Sequence, residues 1–380
     1  MDFAWTEEQR RWRDEVVRFA QAELNHDLIE RDAGSVFSPD VWKRCAAFGI
    51  QGLPVPEEHG GGGADPLTIM LTMEALGYGC RDNGLIFSLN AQMWSCQVPL
   101  VRSGTEEQKT RYLPGLCDGS VIGVQAMSEP GAGSDAFGSM ATRAVERGDG
   151  WVLTGSKTFV TNAPVADLFI VFARTDPGMG GISAFLVERD RPGLEVGRPL
   201  HKMGLRTSPM GEVFLSDCEV PGENLLGKRG AGMALFNAAM EWERSCILAG
   251  AVGTMQRQLE RATAHARERK QFGQPIGKFQ AVSHKIVDMK LRVETARLLL
   301  YRLGWLKSQG KSSPMDAAMV KLHVSESFVH TSLDAIQIHG GYGYMTEYEI
   351  ERELRDAIGS RLYSGTSEIQ RNIIAGYLGL

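Results

Sequence analysis

The spacing of apolar residues changes character twice along the chain. From about 1 to 120 they recur at helical intervals, as in Trp12, Val16, Phe19 and Ala20. Thr6-Glu-Glu-Gln9 precedes that run as a capping box, the Thr hydroxyl taking the N3 amide and Gln9 reaching back to the cap. Thr105-Glu-Glu-Gln108 is a second box and opens a helix expected to stop near Pro114-Gly115. Between them "PEEHGGGGADP" (56–66) reads as a breaker-rich loop. It is not read as a phosphate cradle, because no Lys-Ser/Thr follows its glycines. From 121 to 226 the runs become short and rich in Val, Ile, Phe and Thr: "GWVLTGSKTFVTNA", "DLFIVFART", "GISAFLVERD" and "GEVFLSDCEV". Turn signals separate them, which predicts an antiparallel sandwich or barrel. From 227 to 380 long helical patterns return, as over 279–306; Ser313-Pro314 starts the next helix and "HGGYGY" (339–344) ends it. Long helices with short breaks predict an antiparallel bundle. The expected fold class is α+β multidomain: an N-terminal helical domain (1–120), a middle antiparallel β-barrel (121–226) and a C-terminal four-helix bundle (227–380).

Composition narrows the function classes. The 380 residues carry a formal charge of −5, and basic residues are spread along the chain, so a nucleic-acid binder is not expected. Six cysteines at 45, 80, 96, 117, 218 and 246 form no CxxC pair; neither zinc nor a disulfide framework is indicated, and metal ligands are expected to be none. The stretch "MDFAWTEEQRRWRDEV" has no apolar h-region, so a signal peptide is not expected. No apolar run reaches the ~18 residues of a membrane span. A cytoplasmic protein with reduced thiols is the expectation.

"QAMSEPGAGSD" (125–135) lies where helix gives way to strand. Its hydroxyls and free amides could hydrogen-bond a planar heterocycle or a carbonyl-rich ligand, yet taken alone it reads as a turn. It lacks the third glycine and the βαβ setting of a dinucleotide fingerprint.

"MSEPGAGSD", "KTFVTNA", "RKQFGQPIGKFQ", "QIHGGYGY" with "LRD", and "SGTSEIQR" follow one another in this order. Together with the α–β–α organisation they resemble the acyl-CoA dehydrogenase family over essentially the whole chain. The resemblance implies FAD held between barrel and bundle, a homodimer or homotetramer sharing that site, and an electron acceptor such as an electron-transfer flavoprotein. It implies that a base removes the proton α to a thioester carbonyl while hydride passes from the β-carbon to flavin N5. Carried over residue by residue, Met127 and Ser128 match flavin-ring contacts, and Ser134 a residue near the thioester's carrier arm. Phe159 matches the aromatic against the flavin, and Thr161 the hydroxyl near N5. Arg269, Phe272 and Gln280 match residues that reach a neighbouring subunit's FAD. Gln337, Gly340 and Gly341 match a cofactor-binding turn, and Thr366 and Glu368 a phosphate- and ribose-proximal segment. Gln is common in the family at 368, so Glu368 adds a negative charge near the cofactor. Without the family, Phe159 reads as core, Arg269 as a surface ion pair and the two glycines as a helix stop.

The base is the open question. Many members carry Glu in a Tyr-Glu-Gly-Thr motif, where this chain has Tyr363-Ser364-Gly365-Thr366. A serine hydroxyl is a poor base near neutral pH without an activating partner. The alternative stretch is "NAAMEWERSCILAGAVG" (237–253). Glu241 and Glu243 lie on faces about 200° apart on a helix. Glu241 has Asn237, Arg244 and Ser245 beside it; Glu243 has Ala239, Met240, Cys246 and Ile247. An apolar surround suits a general base, because burial brings a carboxyl toward neutral pH, so the periodicity selects Glu243. The resemblance agrees: its isovaleryl and long-chain branches place the catalytic Glu here, before an Arg matched by Arg244. The same resemblance implies that the Ser364 amide donates to the thioester oxygen.

"WER" (242–244) with "SGTS" also resembles the branch acting on carrier-protein thioesters, such as prolyl-carrier-protein dehydrogenases. The polar side chains of "SLNAQMWSC" (88–96) would then line the acyl pocket, or else face solvent. The handle, CoA or an acyl/peptidyl carrier protein, stays open. Two competing functions are a nitroalkane-type flavin oxidase and a non-catalytic flavin-binding relative.

Overall fold

The computed structural model describes residues 5–380; the first four residues of the charged N-terminal stretch lie outside the described residues. Both capping boxes form, at Thr6 ahead of α1 (Glu7–Glu23) and at Thr105 ahead of α7 (Glu106–Asp118). Helix α7 does not stop at Pro114-Gly115 as expected. It runs on to Asp118 with Pro114 inside it, and ends where Gly119 takes a left-handed conformation. Between these helices lie α2 (Leu28–Gly34), α3 (Pro39–Ala47), α4 (Pro66–Gly79), α5 (Asn83–Gln92) and α6 (Val98–Ser103). The glycine-rich segment is a loop that ends on Asp65, whose carboxylate caps α4. Helices α5 and α6 are joined by a wide π turn, Met93–Gln97, rather than by a break.

The middle sheet has the order β6-β7-β3-β2-β4-β5-β8. Its strands are β2 (Arg143–Arg147), β3 (Gly150–Thr161), β4 (Leu168–Arg174), β5 (Ile182–Glu188), β6 (Leu194–Val196), β7 (Met210–Pro221) and β8 (Leu225–Leu226), with β1 (Gly123–Ala126) beside β4. Most pairs are antiparallel, but β1 runs parallel to β4. Strands β4 and β5 are buried on both faces, which explains their near-continuous apolar sequence. Leu168, Ile170 and Phe172 pack toward α6 and α7, while Phe169 and Val171 pack with Trp151, Leu153 and Val213 inside the sheet domain.

The C-terminal bundle comprises α8 (Gly232–Cys246), α9 (Ala249–Glu268), α10 (Gln280–Ser308) and α11 (Pro314–His339), followed by α12 (Gly341–Tyr344), α13 (Ile350–Gly359) and α14 (Ser367–Tyr377). A short hairpin of β9 (Lys270–Gln271) and β10 (Gln274–Pro275) links α9 to α10. Ser313 caps α11 with Pro314 in its first turn, and Gly340 closes it, as the pattern predicted. The terminal thirds of the chain share one core: Val16, Met73 and Ile86 belong to the same buried cluster as Val252, Val293 and Phe328. Contact between α4 and α9 is closest at glycines. A Cβ on Gly77 would lie 1.9 Å from the Gly250 carbonyl oxygen, and one on Gly253 would lie 2.0 Å from that of Glu74.

All six cysteines are free and buried. Among the described residues no helix is long and apolar enough to cross a membrane, and no cluster of His, Cys, Asp and Glu could hold a metal ion.

The α4–α9 contact makes a prediction. Gly77→Ala must push the two backbones apart and is expected to cost about 1–3 kcal/mol, the usual penalty of overpacking. Gly376→Ala, where an added Cβ meets nothing within 4 Å, is the control. A thermal midpoint lowered by several degrees in the first variant and unchanged or raised in the second is the expected result.

Candidate active site

Glu243 sits on α8 and is 8 % exposed. Segments far apart in sequence close on its carboxylate. Ser95, on the π turn between α5 and α6, donates its hydroxyl to Oε2, and Ser364, on the turn between α13 and α14, donates to Oε1. A π turn inserts one residue into a helix and re-aims its side chains, a device common at functional sites; here it carries Ser95 to the carboxylate. Ser364 has φ +56°, unusual for a residue with a side chain, and is followed by Gly365 at φ +88°.

The apolar surround expected of Glu243 is present only in part. Ala239, Met240 and Cys246 are buried around it, but both of its oxygens meet hydroxyls. Glu241, on the other face of α8, is engaged by side chains of the bundle. It accepts from Lys307 Nζ at 2.7 Å and from Ser312 Oγ at 3.0 Å, which ties α8 to the α10–α11 connection. Arg244 is no direct partner of Glu243: its Nε donates to the Ser364 carbonyl at 3.1 Å. Burial pulls the Arg244 guanidinium below its ordinary pKa, with the charge of Glu243 opposing. The Ser364 carbonyl also accepts from Gln370 Nε2 at 3.1 Å, and the Gly365 carbonyl accepts from Gln370 at 2.8 Å and from Lys321 Nζ at 2.7 Å. The amides of Ser364 and Gly365 have no backbone acceptor among the described residues.

The polar residues of 88–96 other than Ser95 are committed to partners within the protein, and solvent exposure does not describe them. Ser88 bonds Ser208, Asn90 accepts from the Trp94 indole, and Gln92 binds the Leu116 carbonyl and the Gly123 amide. All three are fully buried; only Ser95 of that segment reaches the carboxylate.

The residues matched to FAD fall into separate groups. Met127, Ser128, Phe159 and Thr161 lie together, since the Thr158 amide donates to the Ser128 carbonyl at 2.8 Å and Lys157 Nζ to the Met127 carbonyl at 3.1 Å. Phe159 is not core: it is 66 % exposed, with φ +54°. Glu129, in the same loop, is structural rather than a ligand group. Its carboxylate is used by Lys157 at 2.8 Å and by the amides of Ala141 and Thr142. Around Gly131 and Gly133 an added Cβ would meet nothing within 4 Å, and the amide nitrogen of nearby Gln125 is buried without a partner. An exposed aromatic, an open glycine turn and an unused buried donor fit the edge and face of a flavin ring. Ser134 is exposed on the same turn.

Arg269, Phe272, Gln337, Gly340 and Gly341 lie instead at the ends of α9 and α11 and on the hairpin, with Gln280 at the start of α10. Phe272 is 93 % exposed and the Arg269 guanidinium lies over the Tyr342 ring at 5.8 Å. This group shares none of the hydrogen bonds around Glu243. Thr366 caps α14, accepting from the Ile369 amide at 3.3 Å. Glu368 is fully exposed and its carboxyl is held below the usual range, by its own amide first and by Thr366.

The sequence reading missed Lys321 and Gln370. Lys321 had a signal, a lone cation among Ala317, Ala318, Val324 and Ser325, all buried. Gln370 had none, since its role depends on where the turn before α14 lies.

Next to Ser364, Tyr363 is partly buried, and its hydroxyl is pushed up by desolvation, then by the charges of Asp356 and Glu243. Asp356 itself is buried, accepting from the Leu205 amide at 2.6 Å and from Asn83 at 3.1 Å.

The N-terminal, middle and C-terminal domain models of the acyl-CoA dehydrogenase family match residues 6–120, 124–218 and 230–378. The L-prolyl-[peptidyl-carrier protein] dehydrogenase of Pseudomonas fluorescens is 43% identical over 383 residues, covering 100% of both chains. The crystal structure of the prolyl acyl carrier protein oxidase AnaB superposes with a TM-score of 0.98 at 51% identity, covering 99% of this chain and 100% of that one. PigA with FAD and proline superposes at 0.98 with 43% identity, covering 100% of each.

Asp356 yields a prediction. Burial pushes its carboxyl from 3.8 up to about 6, opposed by the Leu205 amide and Arg352. The native chain therefore holds this proton more tightly than the unfolded one. Its contribution to stability is complete below about pH 4 and is lost as pH rises through about 6. Asp356→Asn removes that loss. The difference in thermal midpoint, variant minus parent, is expected to rise between pH 4 and pH 7; a constant difference would contradict the assignment.

Proposed function

We propose that this chain, which belongs to the acyl-CoA dehydrogenase family and is an FAD-dependent dehydrogenase of acyl thioesters, oxidises an L-prolyl thioester carried on a peptidyl carrier protein, with Glu243 as the base. The observation that carries the base assignment is the clasp of the Glu243 carboxylate between Ser95 and Ser364. A carboxylate held at both oxygens keeps one orientation, as proton abstraction from carbon requires. Serine at 364 stands where many relatives of this chain carry the base. It contributes no base of its own but ties that turn to the one on α8.

Each residue then has a defined task. Glu243 takes the proton from the ring carbon next to the thioester carbonyl, and a serine hydroxyl can rotate to accept from the resulting carboxylic acid. The amides of Ser364 and Gly365 face the oxygen on which charge develops. Arg244 and Gln370 hold the turn from behind through the Ser364 carbonyl. Met127, Ser128, Phe159 and Thr161 would border the flavin ring, and the exposed group around Arg269 and Gly340 would complete a neighbouring copy's site in a homodimer or homotetramer. When bound, FAD accepts the two electrons as hydride from the carbon β to the carbonyl.

The carrier-borne prolyl substrate rests on the relatives named above and on the short residue at 364. The hydroxyls of Ser95 and Ser364 spend their hydrogens on Glu243 and retain lone pairs, which suit a substrate that brings an N–H donor. The electron acceptor is proposed to be an electron-transfer flavoprotein; rapid reoxidation of the reduced protein by oxygen would instead make it an oxidase.

Glu243→Gln is expected to keep FAD and the fold and to lower turnover about 10²–10⁴-fold, the usual worth of a general base. Near-normal turnover would refute the assignment. Anaerobic mixing with prolyl and straight-chain acyl thioesters, each on CoA and on a carrier protein, tests the substrate. Bleaching of the oxidised flavin band is expected fastest with the carrier-borne prolyl group.

A further inference from the structure

Lys321 is 0 % exposed in the middle of α11, with apolar or small residues a turn away on either side. Taking an ammonium out of water costs several kcal/mol unless its donors are well used. Lys321 donates to one carbonyl, that of Gly365 at 2.7 Å, and lies 5.9 Å from the centroid of the Tyr363 ring. No carboxylate lies within 4.0 Å of it among the described residues. A buried cation placed behind a backbone turn, rather than in an ion pair, needs a reason.

The turn supplies one. Ser364 and Gly365 both have positive φ, a conformation that a serine holds only when its surroundings impose it. Lys321 and Gln370 fix the Gly365 carbonyl; Arg244 and Gln370 fix that of Ser364. A trans peptide is planar, so its N–H points opposite to its C=O. Arg244 and Gln370, holding the Ser364 carbonyl toward the bundle, therefore turn the Gly365 amide the other way, and Lys321, on the next carbonyl, fixes the peptide that follows so that the turn cannot swing. The positive charge of Lys321, bonded to this turn, also favours negative charge developing at its donors.

We propose that Lys321 is a positioning residue for the reaction: it locks the 364–365 turn with its amides presented to the thioester oxygen and backs them with positive charge. This rests on the thioester reading above. Lys321 holds its proton weakly: desolvation brings it down to about 8, with Arg244 adding to the fall and Glu243, Glu326 and Glu368 opposing it. Those groups, with Tyr363, are the charged and titratable neighbours that face it from α8, from α11 itself, from the turn and from α14. The clamp therefore loses its charge as pH rises through about 8.

The test uses the FAD-loaded protein and acetyl-pantetheine carrying a ¹³C carbonyl, a thioester with no β-carbon and hence no turnover. Its bound carbonyl stretch is read by infrared difference spectroscopy in the parent, Lys321→Met, Lys321→Arg and Gln370→Leu. In the parent the band is expected to move to lower frequency on binding, and to relax toward the free value above about pH 8. Lys321→Met should lose most of that shift at every pH, and kcat with the best substrate should fall about 10²-fold with KM little changed, the scale of a misplaced reacting group. Lys321→Arg should restore the shift and abolish its pH dependence, because a guanidinium stays charged. If Lys321→Met does not fold, Lys321→Arg and Gln370→Leu carry the test. A parent-like band and pH profile in both would overturn the proposal. So would a Lys321→Met protein that is only less heat-stable. The same acetyl thioester is also offered on a carrier protein: failure of the parent to bind either form would overturn the functional reading together with the clamp, whereas binding with an unmoved band in the parent and every variant would overturn the clamp alone.

Discussion

The carboxylate of Glu243 is the point at which three remote pieces of the chain are joined. Ser95 reaches it from the N-terminal helices and Ser364 from the turn before the last helix, while Glu243 itself rides on the first helix of the bundle. A buried carboxylate left without donors would be costly; with a hydroxyl on each oxygen it becomes a tie. The π turn at 93–97 and the positive φ of Ser364 are local distortions that this tie explains. Both cost free energy, and both deliver a hydroxyl to the same atom pair.

The arrangement also accounts for a serine at 364. A carboxylate there would face that of Glu243 across a hydrogen-bond distance, and two such charges cannot both stay ionised in a buried site. A hydroxyl removes the conflict and turns repulsion into a bond. The carbonyls of the same turn are held from behind by cations and by one amide, so its shape is set from the bundle side, independent of what lies in front.

Much of this was legible in the sequence, because the signals were local. Capping boxes, the switch from helical to strand periodicity and the glycine stop after α11 involve residues within one or two turns of each other. Periodicity separated Glu243 from Glu241 for the same reason. The exceptions show the limit. Pro114 did not end α7, because the stop is written at Gly119. The polar side chains at 88, 90 and 92 looked available but are consumed by partners that only tertiary packing brings near. The roles of Lys321 and Gln370 depend on a turn more than forty residues away in one case and on its conformation in the other. No spacing within a single helix encodes either.

The shared core of the terminal thirds bears on how the chain is made. Met73 and Ile86 are buried in one cluster with Val252 and Phe328, and Gly77 meets Gly250 backbone to backbone. A ribosome releases the first group long before the second exists. The early helices must therefore wait with apolar faces uncovered, while the sheet domain, whose inner cluster draws on residues from Val124 to Val220, can complete itself on emergence. Synthesis order and folding order are thus inverted for the outer segments, and the interval between them is when this chain most needs a chaperone.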